Sequence, residues 1–281
     1  MEYISTRNNK KTFEFKDVFI KGLADDGGLF IPQSLHKVDI NNLRGLEYND
    51  LAKKIIYPFI GDFMTEADLN KIIDKSYSVF RKKNVVDLIK VGDRSVLELF
   101  HGPTLAFKDI AMQFLGHIFE YVLAKENKTL NILGATSGDT GPAAEYAMKG
   151  KKGINVFMLS PHGTMSPFQA AQMFSLADEN IYNIAVKGVF DDCQDIVKAV
   201  SNDLQFKKDN NIGAVNSINW GRILAQIVYY FKGYLAVTKD SSEEVDFTVP
   251  TGNFGNICAG HIARMMGLPV RHLVVATNEN D

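Results

Sequence analysis

The sequence predicts an α/β fold in which parallel sheets carry helices on both faces, preceded by a mostly helical lobe. From about residue 95 onward, short apolar segments alternate with longer helical patterns. Three loops rich in glycine or hydroxyl groups, or carrying a lysine, each lie between a predicted strand and a predicted helix. Earlier in the chain, apolar side chains recur at helical spacing instead, as Leu51, Ile55 and Ile56 do.

Length and composition exclude several classes of protein. The 281 residues are 46% hydrophobic, enough for a sizeable core, and the net charge of −2 argues against a nucleic acid partner. The 2 cysteines and 6 histidines lack the spacing of a disulfide framework or a metal centre. Neither a secretory leader nor an apolar stretch of the ~20 residues that span a membrane is present. We therefore expect a cytoplasmic protein that binds no metal, membrane or nucleic acid.

Residues 1–92 are predicted to form the helical lobe, and residues 93–281 the sheet-bearing region. In the lobe, Asp26-Gly27-Gly28 marks a tight turn rather than an element. Further along, Leu69, Ile72 and Ile73 repeat the helical spacing of the preceding segment. The predicted helices of the lobe are 47–60, 65–74 and 76–90.

In the second region, strand-like and helix-like segments follow one another in regular order. The strands are short and rich in Ile, Val and Leu, as expected of strands that are buried on both faces. The predicted strands are 95–100, 130–133, 154–159, 181–186, 245–249 and 270–276. The predicted helices are 108–125, 141–148, 167–176, 191–206, 221–237 and 255–266. This alternation predicts a parallel sheet.

The segment from His101 to Asp109 ends a strand and opens a helix with a lysine. Lys108 follows apolar residues, and both burial and a helix N-terminus lower the pKa of an amine. Because a neutral amine is a nucleophile and a base, we interpret Lys108 as a candidate catalytic residue. The alternative is an ordinary solvated lysine in a first helical turn, with His101 as a satisfied polar group at a strand end.

The loop 136–141, Thr-Ser-Gly-Asp-Thr-Gly, joins a predicted strand to a predicted helix. Hydroxyl groups and backbone N–H groups at a helix start suit a carboxylate or a phosphate. The alternative is a helix N-cap on a flexible turn, which uses the same residue types. The loop is not a P-loop, since no Gly-Lys-Ser/Thr follows it.

The loop 252–256, Gly-Asn-Phe-Gly-Asn, also lies between a predicted strand and a predicted helix. Its glycines allow consecutive N–H groups to face one phosphate, although a turn without a ligand has the same composition. One such loop is weak evidence, but two in one sheet together with Lys108 indicate a ligand site. An amine beside phosphate-binding loops at the carboxyl edge of a parallel sheet is what a pyridoxal phosphate enzyme requires.

The run Asn216-Ser217-Ile218-Asn219 precedes a strongly apolar helix. Its side chains suit either the cap of that helix or polar contacts to a substrate, and the sequence leaves both open. Arg222 and Lys53 are further candidate phosphate partners, with a surface or structural charge as the alternative for each.

Together these motifs resemble those of the threonine synthase family, pyridoxal phosphate enzymes of fold type II, along nearly the whole chain. Residues 3–7 and 22–32 are similar to the family's N-terminal signature, and residues 100–109 to its lysine motif. The resemblance implies a tryptophan synthase β-like fold, Lys108 as the Schiff-base residue and Asp139 beside the ring oxygen. The cofactor phosphate residues that it implies are Gly252, Asn253, Phe254, Gly255 and Asn256. The substrate-binding residues that it implies are Thr136, Ser137, Gly138, Thr140, Asn216, Ser217 and Asn219.

The resemblance also implies an activity in threonine biosynthesis. O-phospho-L-homoserine and water would become L-threonine and phosphate by γ-elimination and then β-addition of water, in a lyase that is a monomer or a homodimer. Two alternatives stay open: a related fold type II lyase, such as threonine dehydratase or a phospholyase, and an inactive, truncated ligand-binding fragment. Family members continue past residue 281, where a later Ser or Thr contacts the pyridine nitrogen, so we expect a C-terminally incomplete fold.

Overall fold

The N-terminal region combines helices with a small antiparallel sheet. In the computed structural model, which describes residues 1–60, 63–213, 215 and 219–279, the sheet has the order β2-β1-β3. Its strands are β1 (Tyr3–Ser5), β2 (Thr12–Phe13) and β3 (Phe30–Pro32), and the helices are α1 (Phe15–Lys21), a 3₁₀ helix (Ile40–Leu43), α2 (Tyr48–Ile60) and α3 (Glu66–Tyr77). The predictions of helices 47–60 and 65–74 are confirmed. The spacing of apolar residues does not predict the small sheet, because strands of two or three residues are too short to show a period.

A β-hairpin stands where the sequence predicts the third helix of the lobe. The prediction of a helix over 76–90 is wrong, since α3 ends at Tyr77 and the chain continues into β4 (Asp87–Val91) and β5 (Arg94–Glu98). These strands pair antiparallel, and the φ of +62° at Gly92 suits a two-residue hairpin turn. Within the described residues, the predicted strand 95–100 therefore joins a hairpin and not the parallel sheet. The predicted domain boundary after residue 92 lies in this turn and stays a prediction.

The alternation of strands and helices beyond the hairpin is confirmed, and it builds two parallel sheets. The first sheet has the order β8-β7-β6-β9 and the second pairs β10 with β11. The strands are β6 (Leu130–Ala135), β7 (Ile154–Pro161), β8 (Ile181–Val186), β9 (Ile212–Gly213), β10 (Val245–Pro250) and β11 (Val270–Ala276). The helices are α4 (Lys108–Glu126), α5 (Thr140–Met148), α6 (Pro167–Phe174), α7 (Phe190–Asn202), α8 (Leu204–Asp209), α9 (Trp220–Val237) and α10 (Gly255–Met265).

One predicted helix, 191–206, is divided into α7 and α8. Asp203 lies between them with a non-helical backbone, and its carboxylate accepts a hydrogen bond from the N–H of Phe206 at 2.9 Å. An aspartate that caps a new helix interrupts the preceding one, because its side chain replaces a backbone acceptor.

Helix α9 lies in the core and packs against α2, α4 and α10. Being covered on several sides, it carries apolar residues around most of its circumference. Gly221 allows the close approach of α1, since a Cβ at this position would come within 2.0 Å of the Phe19 ring. None of the helices in the described ranges has the length and hydropathy needed to cross a membrane.

Candidate active site

Three loops surround the start of α4. Loop 99–107 leads from β5 to Lys108, the first residue of this helix, while loop 136–139 joins β6 to α5 and loop 251–254 joins β10 to α10. A cavity of about 160 Å³ is lined by Lys108, Phe107, Arg222, Gln226 and most of residues 250–256. The structure therefore brings the predicted catalytic lysine and the predicted cofactor phosphate loop to one place.

Lys108 is held in surroundings that favour its neutral form. The residue is half-buried, and burial lowers the pKa of its amine below the ordinary lysine value. The Asp139 carboxylate raises this pKa, while the Arg222 guanidinium lowers it further. A larger fraction of this amine is therefore neutral than in a solvated lysine, and only the neutral amine acts as a nucleophile or base.

The loop before Lys108 is fixed by Asp109. The two oxygens of this buried carboxylate accept hydrogen bonds from the N–H of Thr104 at 2.8 Å and from its hydroxyl at 2.7 Å. Burial raises the pKa of Asp109, and these hydrogen bonds oppose the increase. Gly102 is required beside them, since a Cβ there would come within 2.4 Å of the Asp109 Cβ. The start of α4 is thereby tied to the end of the preceding segment.

Loop 251–256 presents backbone donors to the cavity. Phe254 adopts a left-handed backbone with φ of +56°, and its N–H is bound by the Thr251 hydroxyl at 3.1 Å. A left-handed residue at a helix start can turn neighbouring N–H groups toward one anion. Within the described ranges, four backbone N–H groups of the loop have no hydrogen-bond acceptor: those of Gly252, Asn253, Gly255 and Asn256.

The side chain of Asn256 holds this loop together rather than facing a ligand. Its amide donates to the carbonyl of Pro250 at 3.0 Å and accepts from the N–H of Ile257 at 2.9 Å. The Asn256 carbonyl accepts a hydrogen bond from the Tyr230 hydroxyl at 2.8 Å. The loop is therefore preorganised, and its backbone N–H groups are the donors that stay free for a bound anion.

Arg222 adds a second cation to the cavity. Its side chain is buried, Nη1 donates to the carbonyl of Val215 at 3.0 Å, and its buried Nε has no partner in the described part of the chain. Burial lowers the pKa of Arg222 to about 10. A buried guanidinium with an unused donor favours an anionic ligand. Gln226 lines the same cavity one helical turn later, a spacing of four residues that makes it recognisable once Arg222 is considered.

Lys53, the other candidate phosphate partner, lies elsewhere. On α2 its amine pairs with Asp74 at 3.1 Å and with Asp50 at 3.2 Å. Lys53 does not line the cavity. Its contacts agree with the alternative, that of a structural charge.

Loop 136–141 is organised around one hydroxyl group. The Thr136 oxygen donates to the carbonyl of Gly138 at 3.0 Å and accepts from the N–H groups of Gly138 and Gly141 at 3.3 and 3.0 Å. This oxygen is fully used within the loop, whereas no acceptor within the described ranges binds the N–H groups of Ser137, Asp139 and Thr140. The loop does not line the cavity itself. It reaches the candidate site through Asp139, which acts on the Lys108 amine and accepts a hydrogen bond from Gln169.

Of the asparagine-rich run, only Asn219 lies within the described residues; Asn216 and Ser217 lie outside them. Asn219 is fully buried, and its amide donates to the carbonyl of Phe19 and accepts from the N–H of Gly221, both at 2.9 Å. These contacts agree with the capping alternative, and its substrate role stays a prediction.

A group of possible metal ligands lies at the base of the hairpin. Oxygen or nitrogen atoms of Asp87, Glu98 and His101 lie within 4.8 Å of one another. His101 contacts Glu98 at 3.0 Å, and the Lys82 amine lies 3.0 Å from Asp87. Because Lys82 already supplies a cation, this cluster is explained as an ion-pair network.

Comparisons with known proteins match this chain to threonine synthases along its length. The family model described as "Threonine synthase N terminus" matches residues 2–77. A threonine synthase from Methylobacillus glycogenes is 58% identical over 294 residues, and one from Corynebacterium glutamicum is 53% identical over 292 residues. Both matches cover 100% of this chain, which spans 62% and 60% of the two relatives.

A solved structure supports the same relationship in three dimensions. The PLP-bound threonine synthase from Brucella melitensis matches with a TM-score of 0.95 and 45% sequence identity. The match covers 100% of this chain and 61% of that one, so the chain spans about three fifths of its relatives' length. The predicted fold class, parallel sheets with helices and part of a larger fold type II architecture, is confirmed.

Proposed function

Because the chain belongs to the threonine synthase family, we propose that the protein converts O-phospho-L-homoserine and water to L-threonine and phosphate, as a lyase of threonine biosynthesis. The observation that carries the proposal is a cavity lined by a half-buried amine and by backbone donors that have no acceptor in the described part of the chain. The identity of 58% to a threonine synthase along the whole chain supports it. Since the chain spans about three fifths of its relatives, the proposal concerns the activity of the whole protein.

The residues around the cavity fit pyridoxal phosphate. When bound, this cofactor supplies an aldehyde that an amine can attack and a ring that withdraws electrons from the substrate. Lys108 would hold the aldehyde carbon, and the N–H groups of Gly252, Asn253, Gly255 and Asn256 would hold the phosphate. Asp139 would lie beside the ring oxygen, with its carboxylate oriented by Gln169.

Lys108 is the residue to which we assign proton transfer. Burial lowers the pKa of its amine, so a larger neutral fraction would let Nζ, when it is not bound to the cofactor, accept a proton from a substrate carbon. The Asp139 carboxylate favours the protonated amine, which lets Nζ hold that proton until it is returned. Opposing influences on one amine suit a group that both removes and returns protons.

Arg222 is the residue to which we assign the substrate phosphate. Its buried guanidinium has a free Nε, and no carboxylate acts on it among the described residues. The free N–H groups of loop 136–141 suit the substrate carboxylate, because they lie at the N-terminus of α5. Two anion sites near Lys108 would orient a substrate that carries both groups.

We test the assignment of Lys108 with Lys108→Ala. Borohydride reduction in the presence of pyridoxal phosphate, digestion and mass spectrometry should find the cofactor mass on the Lys108 peptide of the unaltered protein. In the variant this attachment should be lost, and threonine formation should fall by about 10²- to 10⁴-fold, as expected when a general base is removed.

Lys53→Ala is the matched control, since Lys53 pairs with Asp50 and Asp74 away from the cavity. It should leave cofactor attachment and product formation unchanged. Full attachment in Lys108→Ala would overturn the assignment. Formation of 2-oxobutyrate in place of threonine would favour the related lyase, and failure of the unaltered protein to take up cofactor would favour the ligand-binding fragment.

We also propose that the protein is cytoplasmic and acts as a monomer or homodimer on a small-molecule substrate. Cys193 and Cys258 are both unpaired, as is usual in a reducing compartment. Sedimentation velocity on the complete protein measures the oligomeric state.

A further inference from the structure

Leu105, three residues before Lys108, has a left-handed backbone. Its φ is +61°, a conformation that a residue with a branched side chain rarely adopts. The side chain is 39% exposed, so burial of the leucine does not explain the conformation. Backbone strain of this kind persists only where surrounding contacts hold it, and such residues cluster at functional sites.

The peptide unit between Thr104 and Leu105 is held at both ends. Its N–H, that of Leu105, donates to the carbonyl of Gly102 at 3.3 Å. Its carbonyl, that of Thr104, accepts a hydrogen bond from Nε2 of Gln172 at 3.0 Å. Because a peptide unit is planar and φ of Leu105 is the rotation next to it, fixing this plane restricts that rotation. Among the described residues, Gln172 is the one hydrogen-bond partner of this peptide that comes from a distant part of the chain.

Helix α6, which carries Gln172, also reaches the second loop of the site. Gln169 donates a hydrogen bond to the Asp139 carboxylate, and residues three apart lie on one face of a helix. The same face of α6 therefore contacts both the loop that leads to Lys108 and the loop that carries Asp139. The Asp139 carboxylate in turn acts on the pKa of the Lys108 amine, so the second of these loops is close to the amine.

We propose that Gln172 is a positioning residue for Lys108: its side-chain amide holds the strained turn at Leu105 and so sets the direction in which the amine enters the cavity. The inference rests on the proposed function, in which Lys108 carries the cofactor. Without the Gln172 amide, the turn relaxes toward ordinary backbone angles, and the amine moves from the half-buried position toward solvent.

The first test is Gln172→Leu, which keeps the size of the side chain and removes its donor. Lys108 is labelled with acetic anhydride over a pH series without cofactor, and its peptide is followed by mass spectrometry. In the variant the midpoint of labelling should shift toward that of a solvated lysine. Affinity for pyridoxal phosphate should fall about three- to tenfold, the range of one net hydrogen bond. Gln205→Leu, at an exposed position on α8, should change neither quantity.

Lys151 is the internal reference for loss of folding. Its side chain is 9% exposed, and it lies outside the cavity. A change of positioning alters the labelling of Lys108 alone, whereas loosening of the whole chain alters both lysines. Equal changes at Lys108 and Lys151 would therefore overturn the proposal, as would a Gln172→Leu variant that labels like the unaltered protein.

The second test is rescue. Glycine adopts a left-handed backbone without strain, whereas alanine does not. Leu105→Gly should therefore recover part of the labelling profile lost in Gln172→Leu, and Leu105→Ala should not. Equal profiles for the two double variants would overturn the proposal. Labelling is measured without cofactor, so a protein that fails to bind pyridoxal phosphate refutes the proposed function and leaves this test intact.

Discussion

Glu145, in α5, is a buried carboxyl group that pairs with no cation among the residues the structure describes. Its side chain is fully buried, and the amide of Asn183 approaches it at 3.5 Å. Burial raises the pKa of Glu145 to about 8, and the Asn183 contact opposes this increase. Glu145 Oε1 and Asn183 Oδ1 are both buried acceptors that have no donor among the described residues. A proton on the Glu145 carboxyl group would supply a donor to this pair. We infer that the folded protein holds Glu145 as a neutral acid at pH 7.

The prediction for this single residue concerns the stability of the protein as a function of pH. In the unfolded chain Glu145 has a pKa of about 4.3, so between that value and about 8 the folded state binds the additional proton. The stabilisation by Glu145 is therefore complete below about pH 4. It is lost as the pH rises toward 8, by up to about 1.4 kcal/mol per pH unit. Glu145→Gln, which stays neutral, should reduce this slope when the free energy of unfolding is measured by urea titration at several pH values.

Glu179→Gln is the control, because Glu179 is exposed. It should leave the slope of the unaltered protein in place. An identical slope in Glu145→Gln would show that Glu145 is ionised in the folded state and that other groups produce the pH dependence.

At the scale of elements, α9 begins at a cap that also joins it to α1. Asn219 accepts the N–H of Gly221 and donates to the carbonyl of Phe19, so one side chain fixes two helices. Arg222 lies in the first turn of α9, and its place in the cavity therefore depends on where the helix begins. The two interpretations of Asn219, cap or substrate contact, predict different measurements.

We expect Asn219→Ala to lower the free energy of unfolding by about 1–3 kcal/mol, because it removes a cap and leaves a buried carbonyl without a donor. Asn219→Asp keeps the acceptor for Gly221 but buries a carboxylate against the Phe19 carbonyl, so its effect on stability should be at least as large as that of alanine. Urea denaturation measures both variants, and KM for O-phospho-L-homoserine is measured alongside. An increase in KM with stability unchanged would favour the substrate role.

At the scale of the whole molecule, apolar side chains remain in contact with solvent on a sheet edge and on a helix. Within the described ranges β11 pairs with β10 on one side only. Its Val274 and Val275 are 46% and 41% exposed, and Phe168 and Phe174 of α6 are 59% and 51% exposed. A strand edge with exposed valines is a template for pairing with another chain.

We therefore expect the 281-residue chain to self-associate as its concentration rises. Val275→Lys places a charge on the exposed strand and should lower the fraction of associated chain in sedimentation equilibrium. Val189→Lys is the control, since Val189 is a 60% exposed valine that lies before α7 and outside any strand. Equal effects of the two variants, or a monomer at every concentration, would contradict a role for the β11 edge.

Local signals are enough to predict much of the fold, but they fail for the small N-terminal sheet, for the β4–β5 hairpin and at the break between α7 and α8. Apolar spacing predicted α2 and α3, and the alternation beyond residue 95 predicted most later strands and helices. The pattern predicts a helix over 76–90 where the chain forms β4, because a five-residue strand is too short for a distinct period, whereas β5 coincides with most of the predicted strand 95–100. Gly92, which has a left-handed backbone in the turn, is the residue that favours a hairpin over a helix here.

The sequence by itself determined the chemistry that is available: an amine at a helix start, two loops rich in N–H donors, and motifs that identify the family. These features depend only on which residues the chain contains and on their order. The tertiary structure alone decided that the half-buried Lys108 and the buried Arg222 line one cavity. It also decided that the Thr136 oxygen is used within its own loop and that Gln172 reaches Thr104 across 68 positions of the chain. Burial and long-range hydrogen bonds depend on distances between segments far apart in sequence, and those distances exist only once the chain has folded.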